Sequence, residues 1–489
     1  MKHRGGALLF RSLMHAAFYP PFSDDILTSR FKSPMVVSMK FRLFLILAVV
    51  MTGCSSSNSS APECSAATEK DFVLEAARDA YLFLDLLPAS VDVSRYATAT
   101  DLLNDLTASA RAQNKDRHFS YLTTPEAEQQ FFSEGTSVGF GISFSKRNVD
   151  HLFITQVFAG SAASAAGFSR GEEIIAIGVD PATLVTVSAL VASNELNNAF
   201  GPSQAGVQRT IRVATPTGFT DRTLTKGTFS IDPVPEYKLI ERTNTTPIGY
   251  VNLRSFISPA EVPLRAAFRA FQARGVTDVI VDLRYDGGGL VSLAETLAKL
   301  LSSGRDGQTM YSSKFNSRHT NDQRTVLFTA DTDSVSGLNI AFITTGATAS
   351  ASELVINILE PYAKVAIVGA TTYGKPVGQY AFDQKGCNVR LRLVTFKNVN
   401  SNNEGDFFSG LPDATFSGKF CSASDDVSKP QGDPAEGSTA TALHWINTSG
   451  ACPSPALIQA KGPLTSMEDA TFPMPTQPTI TQIHLPGTF

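Results

Sequence analysis

The amino-acid sequence predicts a mixed α/β protein, because its hydrophobic periodicity changes twice along the chain. Residues 68–135 carry apolar side chains mostly at helical spacing. Residues 136–231 are short apolar runs separated by glycine turns, which is typical of a small β-rich domain. Residues 232–450 alternate β-branched runs with helical segments, which indicates parallel strands joined by crossover helices. A chain of 489 residues is long enough for several such domains.

The same patterns place individual elements in order. The first part is expected to form one helix from about residue 68 to before Pro88, and another over 100–112. In the second part, helical pieces are expected at 164–167 and 185–199 between strands. The clearest strands of the third part are at 248–253, 277–283, 338–344, 365–368 and 389–396, with helices at 263–274 and 291–301. Residues 451–489 are rich in Pro and Thr, show no strong period and are expected to wrap loosely.

Composition excludes several classes of protein. The 41 Lys+Arg against 45 Asp+Glu give a net charge of −4, and no basic cluster is present, so nucleic acid is not an expected partner. Seven His and five Cys, without CxxC or HxxxH, disfavour a zinc site. A single long apolar run excludes a polytopic membrane protein.

That apolar run, residues 41–51, predicts export. It is shorter than the roughly 20 residues that span a bilayer, and it lies between Lys40 and small residues, as in a secretory signal. Cys54, which follows the run closely, resembles the acylated cysteine of a bacterial lipobox. The sequence therefore predicts a lipid anchor at Cys54 and a flexible tether over 54–67. A plain cleaved signal is the alternative.

Met39 is the expected start of translation, so residues 1–53 combine an upstream extension with the signal peptide. Export changes how the cysteines are interpreted, because disulfides persist in oxidising compartments. Beyond Cys54 the chain has four cysteines, which allow three pairings that the sequence leaves open: Cys64, Cys387, Cys421 and Cys452.

A candidate nucleophile and base follow neighbouring strands of the third part. Ser350 comes after an apolar strand pattern and begins a helical one, a position at the carboxyl edge of a sheet where α/β folds place their sites. Lys375 follows the next strand, and a parallel crossover returns the chain to the same edge. Ser350 and Lys375 are therefore expected to face each other. A serine and a lysine form a nucleophile and base if burial lets the lysine lose its proton.

Three further residues complete the predicted site. Gln379, taken as one helical turn beyond Lys375, is expected to hold the amine. Gly288 belongs to a glycine triplet after a strand, where backbone N–H groups can approach a ligand closely. With the N–H of Ala351 at a helix start, it is expected to form an oxyanion hole.

Each feature also has an ordinary explanation. Ser350 and Glu353 match a helix capping box, a lone lysine is usually solvated, and a glycine triplet is usually a turn. Ser352 is the alternative nucleophile. The Gly-x-Ser-x-Gly match at 135–139 is attributed to chance, because a strand and not a helix is expected after it. The combination, in order and at these spacings, favours the catalytic interpretation.

These motifs resemble those of the carboxyl-terminal processing (tail-specific) serine peptidases. The family pattern D-L-R-x-N-x-G-G-L matches residues 282–290, T/S-A-S-A-S-E matches 348–353, and T-F/Y-G-K-x-x-x-Q matches 372–379. Similarity extends from about residue 70 to 446. Asp286 stands where Asn is common, and Pro376 stands where Gly is usual and removes an N–H.

The resemblance implies Ser350 as nucleophile, Lys375 as general base, Gln379 as its orienting partner, and Gly288 and Ala351 as oxyanion donors. It implies a ClpP/crotonase-like α/β core over 232–450 and no metal or organic cofactor.

The resemblance also implies a PDZ domain over residues 136–231. Its carboxylate-binding loop would be Gly139, Phe140, Gly141 and Ile142, whose N–H groups capture a peptide C-terminus. Such a peptide would add as a strand along the sheet edge.

The expected function is a serine endopeptidase of the bacterial cell envelope that cuts protein or peptide substrates near exposed C-termini. It would be lipid-anchored to a membrane and face the periplasm or the exterior. One alternative is a peptide-binding scaffold that kept the fold and lost turnover. A crotonase-type acyl-CoA enzyme is a third possibility, which the export signal disfavours.

Overall fold

The computed structural model describes residues 64–147, 151–454, 469–470, 475 and 478–489. The predicted signal at 41–51, the start at Met39 and the lipidation site Cys54 lie outside these described residues. Within them, no helix is both long enough and apolar enough to cross a membrane.

The N-terminal region is helical, as predicted, but its first helix ends at Ala80 and not just before Pro88, because Tyr81 has an extended backbone. Its helices are α1 (Ala66–Ala80), α2 (Ala99–Leu106), α3 (Ala108–Ala112) and α4 (Pro125–Glu128). A capping box between Ser65 and Thr68 begins α1. The predicted helix over 100–112 is interrupted at Thr107, where α2 ends and α3 begins. The hydroxyl of Thr107 donates to the carbonyl of Leu103 at 2.9 Å, a local bond that often bends helices.

The middle of the chain forms an antiparallel sheet with short helices. The sheet contains β3 (Ile142–Arg147), β4 (His151–Val157), β5 (Glu173–Gly178), β6 (Val185–Thr186), β7 (Gln208–Thr215), β8 (Gly218–Thr225) and β20 (Asp469–Ala470), in the order β20-β3-β4-β5-β7-β8 with β6 beside β5. A separate pair joins β2 (Thr136–Gly139) to β9 (Gly227–Ser230). The helices are α5 (Ala162–Ala165), α6 (Val187–Ala192) and α7 (Leu196–Ala199). The single helix expected over 185–199 is wrong, because its first two residues pair with β5 and Asn194 adopts a left-handed backbone with φ 60°.

The third part is built on a six-stranded sheet. Its strands lie in the order β10 (Glu236–Ile240), β11 (Ile248–Asn252), β12 (Asp278–Asp282), β15 (Asn339–Thr344), β16 (Lys364–Gly369) and β19 (Lys419–Ser422). All neighbours are parallel except β10 and β11. Helices α8 (Glu261–Ala273), α9 (Val291–Leu300) and α10 (Ala351–Leu359) cover one face, and α11 (Gly437–Asn447) covers the other. The expected crossover architecture is therefore present.

Successive residues of each strand point to opposite faces of the six-stranded sheet. Val279 and Val281 pack towards α8, α9 and α10, whereas Ile280 packs towards Trp445 of α11. The register pairs Asp282 with Ile343, so the carboxyl ends of β12 and β15 meet at one edge. The loops that carry the predicted site residues leave from this edge.

A second, antiparallel sheet of five strands lies beyond that edge. It contains β1 (Tyr121–Thr123), β13 (Thr309–Phe315), β14 (Arg324–Leu327), β17 (Val377–Asp383) and β18 (Arg390–Val399). The long strand β18 pairs with β1, β13 and β17, so it joins the N-terminal region to the segment that follows Lys375.

A buried ionic cluster connects the middle and third parts. The guanidinium of Arg284 is fully buried and contacts Asp282 at 2.6 Å and both Asp425 and Glu436 at 2.9 Å. Arg170, from the β-rich part, contacts the same Asp425 at 2.6 Å. Removing one member of such a cluster leaves an uncompensated buried charge, so these contacts fix the two parts to each other.

Two disulfides select one of the three possible pairings. Cys64 is bonded to Cys387, and Cys421 is bonded to Cys452. The first connects the start of the described chain to the turn between β17 and β18. The second holds β19 to the segment that follows α11.

The end of the chain does not wrap loosely, which corrects the expectation for residues 478–489. A short helix, α12 (Ile480–His484), is followed by residues that are buried up to Phe489, itself 4% exposed. Ile480 and Leu485 enter an apolar cluster with Phe131 and Phe132. The segment lacks a visible period because it is held by packing against distant parts of the chain.

Replacing Cys421 and Cys452 together by alanine is expected to lower the free energy of unfolding by about 2–4 kcal/mol, because this bond restricts the unfolded chain. Urea denaturation measures the change. In a Cys64→Ala/Cys387→Ala background, which keeps only this bond, reductant should lower the free energy of unfolding by a similar amount. Insensitivity of that background to reductant would contradict the pairing.

Candidate active site

Ser350 lies where the chain turns from the sheet into α10. The strand β15 ends at Thr344, and α10 begins at Ala351. Ser350 has φ 58° and ψ −112°, a backbone conformation that residues other than glycine rarely adopt. Such strain persists only where the surroundings impose it, and it concentrates at functional sites.

Ser350 and Lys375 line the same small, partly open cleft. The remaining lining is mainly apolar and consists of Val291, Ala351, Leu354, Pro376, Val377, Gly378, Phe396, Asn398 and Phe407. Ser352, the alternative nucleophile, is fully buried and donates its hydroxyl hydrogen to the carbonyl of Asp286 at 3.1 Å. The cleft therefore presents Ser350 and not Ser352.

Lys375 is buried, with 6% of its surface exposed. Burial lowers its pKa to about 8, against the opposing effect of the Asp116 and Glu353 carboxylates. Its Nζ lies 5.3 Å from the centre of the Phe119 ring. A lysine in this environment has a substantial neutral fraction near pH 8, which a general base requires.

Glu353 holds the serine and lysine segments together. This fully buried carboxylate accepts hydrogen bonds from the backbone N–H of Ser350 at 2.8 Å and of Lys375 at 2.8 Å. It also accepts from the N–H of Gly374 at 2.6 Å and the hydroxyl of Thr372 at 2.5 Å. The capping interpretation of Glu353 was correct but incomplete, because three of its four donors come from the segment after β16.

Gln379 is in strand β17 and not on a helix, which corrects the assumed helical spacing from Lys375. Its side-chain nitrogen donates to the carbonyl of Phe119 at 2.6 Å. Since the ring of Phe119 lies against the Lys375 amine, Gln379 is linked to the lysine through Phe119.

Asp116 is a site residue that the sequence did not reveal. It is fully buried and accepts hydrogen bonds from the backbone N–H of Phe119 at 2.7 Å and from both the N–H and the hydroxyl of Ser120. It thereby fixes the turn that carries Phe119. An Asp followed by such a turn is too common a local pattern to mark a site.

Gly288 lies directly against the serine. A Cβ added at Gly288 would stand 2.8 Å from both the Ser350 Cβ and the Ala351 nitrogen, and its φ of 96° also requires glycine. The N–H of Ala351 belongs to the first turn of α10, where N–H groups lack an intrahelical acceptor. The positions of both residues fit an oxyanion hole beside Ser350.

The N–H of Gly288, however, donates to Asp286 Oδ1 at 2.8 Å in this structure. Asp286 is fully buried, and burial raises the pKa of its carboxyl group well above the usual range. Its Oδ2 has no hydrogen-bond partner among the residues that the structure describes. Asp286 thus accepts the hydrogen bond of one of the two expected oxyanion donors.

The predicted carboxylate-binding loop, in the β-rich part, contacts residue Phe489. The N–H groups of Phe140 and Gly141 converge on one acceptor, the carbonyl oxygen of Phe489, at 2.8 and 3.1 Å. A Cβ at Gly139 would lie 2.7 Å from the carbonyl carbon of Phe489, so the loop needs glycine there for this close approach. Ile142 begins β3 and accepts from the N–H of Phe489 at 3.0 Å.

Gly288→Ala is expected to reduce labelling of Ser350 by a fluorophosphonate about 100-fold or more, because the added methyl group displaces Ser350 and Ala351. The labelling rate measures this. Gly206→Ala is the matched control: Gly206 also has a positive φ, 87°, but a Cβ there meets nothing within 4 Å. Equal labelling of the two variants would contradict a role for the Gly288 contact.

Glu353→Gln is expected to lower the free energy of unfolding by about 3 kcal/mol, because an amide NH₂ in place of either oxygen faces two hydrogen-bond donors. Urea denaturation measures the change, and Glu75→Gln, on the exposed side of α1, is the control. A Glu353→Gln protein as stable as the control would show that the carboxylate is not required.

Comparison with known proteins agrees with this geometry. Residues 247–411 match the model of peptidase family S41, and residues 68–121 match the model of the peptidase S41 N-terminal domain. The carboxyl-terminal-processing protease of Synechocystis sp. is 27% identical over 287 residues, which cover 58% of this chain and 64% of that protein. The chloroplastic carboxyl-terminal-processing peptidase 1 of Arabidopsis thaliana is 26% identical over 309 residues, covering 59% and 58%.

The chain therefore spans less than two thirds of the length of these two relatives. A crystal structure of an S41-type protein from Bacteroides fragilis has the same fold, with a TM-score of 0.59, 22% identity, and coverage of 78% of this chain and 98% of that one. Residues 247–411 are accordingly similar to the peptidases of family S41, and the chain is similar to the carboxyl-terminal-processing proteases.

Proposed function

We propose that this protein is a serine endopeptidase that uses Ser350 as nucleophile and Lys375 as general base. The observation that carries the proposal is their placement: a serine on a strained backbone and a buried lysine with a pKa of about 8 line one cleft. Similarity to carboxyl-terminal-processing proteases supports the same reaction.

The reaction follows from the chemistry of these groups. Ser350 Oγ attacks the scissile carbonyl carbon while neutral Lys375 takes the hydroxyl proton. The lysine then gives that proton to the departing amine, and an ester on Ser350 remains. Water, deprotonated by Lys375, attacks this ester and releases the carboxylic acid product.

The oxyanion of each tetrahedral intermediate requires donors beside Ser350. The N–H of Ala351, in the first turn of α10, would be one of them. For Gly288 to contribute, its N–H must leave Asp286 Oδ1 and turn to the oxyanion, so one acceptor is exchanged for another.

The substrates that we propose are polypeptides with accessible C-termini. The loop Gly139–Ile142 offers two convergent N–H groups beside the edge of β3, the arrangement by which PDZ domains bind a terminal carboxylate and add a peptide strand. The cleft at Ser350 is walled by Val291, Leu354, Phe396 and Phe407, which suits an apolar side chain next to the cut bond.

We further propose that the protein works in the bacterial cell envelope, anchored through lipidated Cys54. The two disulfides favour an oxidising compartment. The test is fractionation of cells that express the full chain: the wild-type protein is expected with the membranes, and Cys54→Ser in the soluble fraction. Equal distribution of the two would exclude the anchor.

Ser350→Ala is expected to lower the rate of cleavage of an unfolded protein at least about 1,000-fold, since it removes the nucleophile. Ser352→Ala, which loses one hydrogen bond, is expected to lower the rate tenfold at most. Cleavage is followed by the release of new amino termini. Equal cleavage by wild type and Ser350→Ala would overturn the nucleophile assignment, and absence of cleavage by the wild-type protein would favour a peptide-binding scaffold.

The pH dependence tests the base. Since the base must be neutral, kcat/KM is expected to rise with pH up to about 8, the pKa of Lys375, and to level off above it. Lys375→Arg is expected to be inactive throughout, because a guanidinium stays protonated. A flat profile between pH 6 and 9 would contradict the role of Lys375.

A further inference from the structure

The edge of β3 that a peptide would occupy is already covered by the chain itself. The N–H of Phe489 donates to the carbonyl of Ile142 at 3.0 Å, and the N–H of Phe144 donates to the carbonyl of Gly487 at 3.0 Å. Between them, Thr488 pairs with Ser143 in antiparallel register, and their hydroxyl oxygens are 2.6 Å apart. Residues 487–489 therefore form a short added strand.

The side chain of Phe489 fills the apolar interior of the β-rich part. Its ring stacks on Phe200 at 4.3 Å and lies 6.1 Å from the ring of Phe144. The ammonium of Lys226 is 6.0 Å from the same ring, within reach of a cation–π attraction. These three contacts suit a large aromatic ring better than a small or charged side chain.

The segment just before this strand reaches the peptidase site. The carbonyl of His484, the last residue of α12, accepts from the N–H of Gly287 at 2.9 Å, one residue before Gly288. The buried ring of His484 packs against Phe131 and Phe132, with ring centres 5.3 and 5.0 Å apart. One segment thus contacts both the peptide groove and the glycine loop.

We propose that Gly487–Phe489 is an internal ligand of this groove, and that the groove selects polypeptides whose C-terminal residue is aromatic. Substrate tails then bind by displacing this segment. The substrate class rests on the peptidase function proposed above, whereas the occupancy of the groove does not.

The loss of affinity that the bound segment causes for a competing peptide can be estimated. A tethered ligand acts at an effective concentration on the order of 1 mM. A free peptide with a dissociation constant of about 0.1 mM for the empty groove would therefore bind the intact chain roughly tenfold more weakly.

Binding of a labelled peptide tests the proposal. The probe is Leu-Pro-Gly-Thr-Phe with a free carboxylate and an N-terminal fluorophore, and its anisotropy is measured with Ser350→Ala protein. Because that background lacks the nucleophile, the result does not depend on whether the protein is a peptidase. Deletion of residues 487–489 is expected to tighten binding tenfold or more, and an amidated probe or one ending in Asp is expected to bind the deletion variant at least tenfold more weakly.

Phe489→Asp, a chain of full length, is the second variant and is expected to bind the probe like the deletion. Val262→Asp places the same charge on an exposed site of α8, 77% exposed, and is expected to bind like the intact chain. The probe should also raise the melting temperature of Phe489→Asp more than that of Val262→Asp. Equal binding by all variants, or no binding by a folded Phe489→Asp protein, would overturn the proposal.

Discussion

The buried carboxylate of Glu353 is the contact on which the geometry of the peptidase site depends. Ser350 and Lys375 sit on separate loops, each after a different strand of the parallel sheet. Glu353 accepts the backbone N–H of both, so it fixes Ser350 and Lys375 relative to one another through their main chains. Its four donors also offset the cost of burying the carboxylate, although that burial still raises its pKa.

The N–H groups of the glycine loop beside Ser350 are hydrogen-bonded to other parts of the chain. Gly287 donates to the carbonyl of His484, and Gly288 donates to the side chain of Asp286. Both bonds would be exchanged for new ones if the loop turned its N–H groups towards an oxyanion, so the number of hydrogen bonds need not change. In this conformation the glycine loop and the loop Gly139–Ile142 are both hydrogen-bonded to other atoms of the chain.

Much of the fold followed from the sequence because strand and helix periodicities are local properties. The order of Ser350 and Lys375 at one sheet edge could be predicted because a single crossover connects their strands. The strand that carries Gln379 could not, since β17 is defined by its pairing with β18 and not by its own pattern. Asp116 and the additional donors of Glu353 were missed for the same reason: their partners become neighbours only through tertiary structure.

The final strand at Gly487–Phe489 shows this limit most clearly. It pairs with residues about 345 positions earlier, and no helical or alternating pattern announces it. By contrast, the loop that it contacts could be recognised from the sequence. Another backbone segment approaches Gly139 too closely for a side chain, and the glycines around this position form a recognisable pattern. The sequence thus identified the loop Gly139–Ile142 but not the segment Gly487–Phe489 that contacts it.

The disulfide between Cys64 and Cys387 determines what a cut in the backbone of this protein would produce. It joins positions 323 residues apart and so closes most of the described chain into a covalent ring. A single cut in the backbone anywhere inside that ring leaves the two pieces attached. The nicked molecule keeps nearly its original mass until it is reduced, and it cannot lose its N-terminal region by diffusion. The covalent link, and not packing alone, keeps the parts of the chain together.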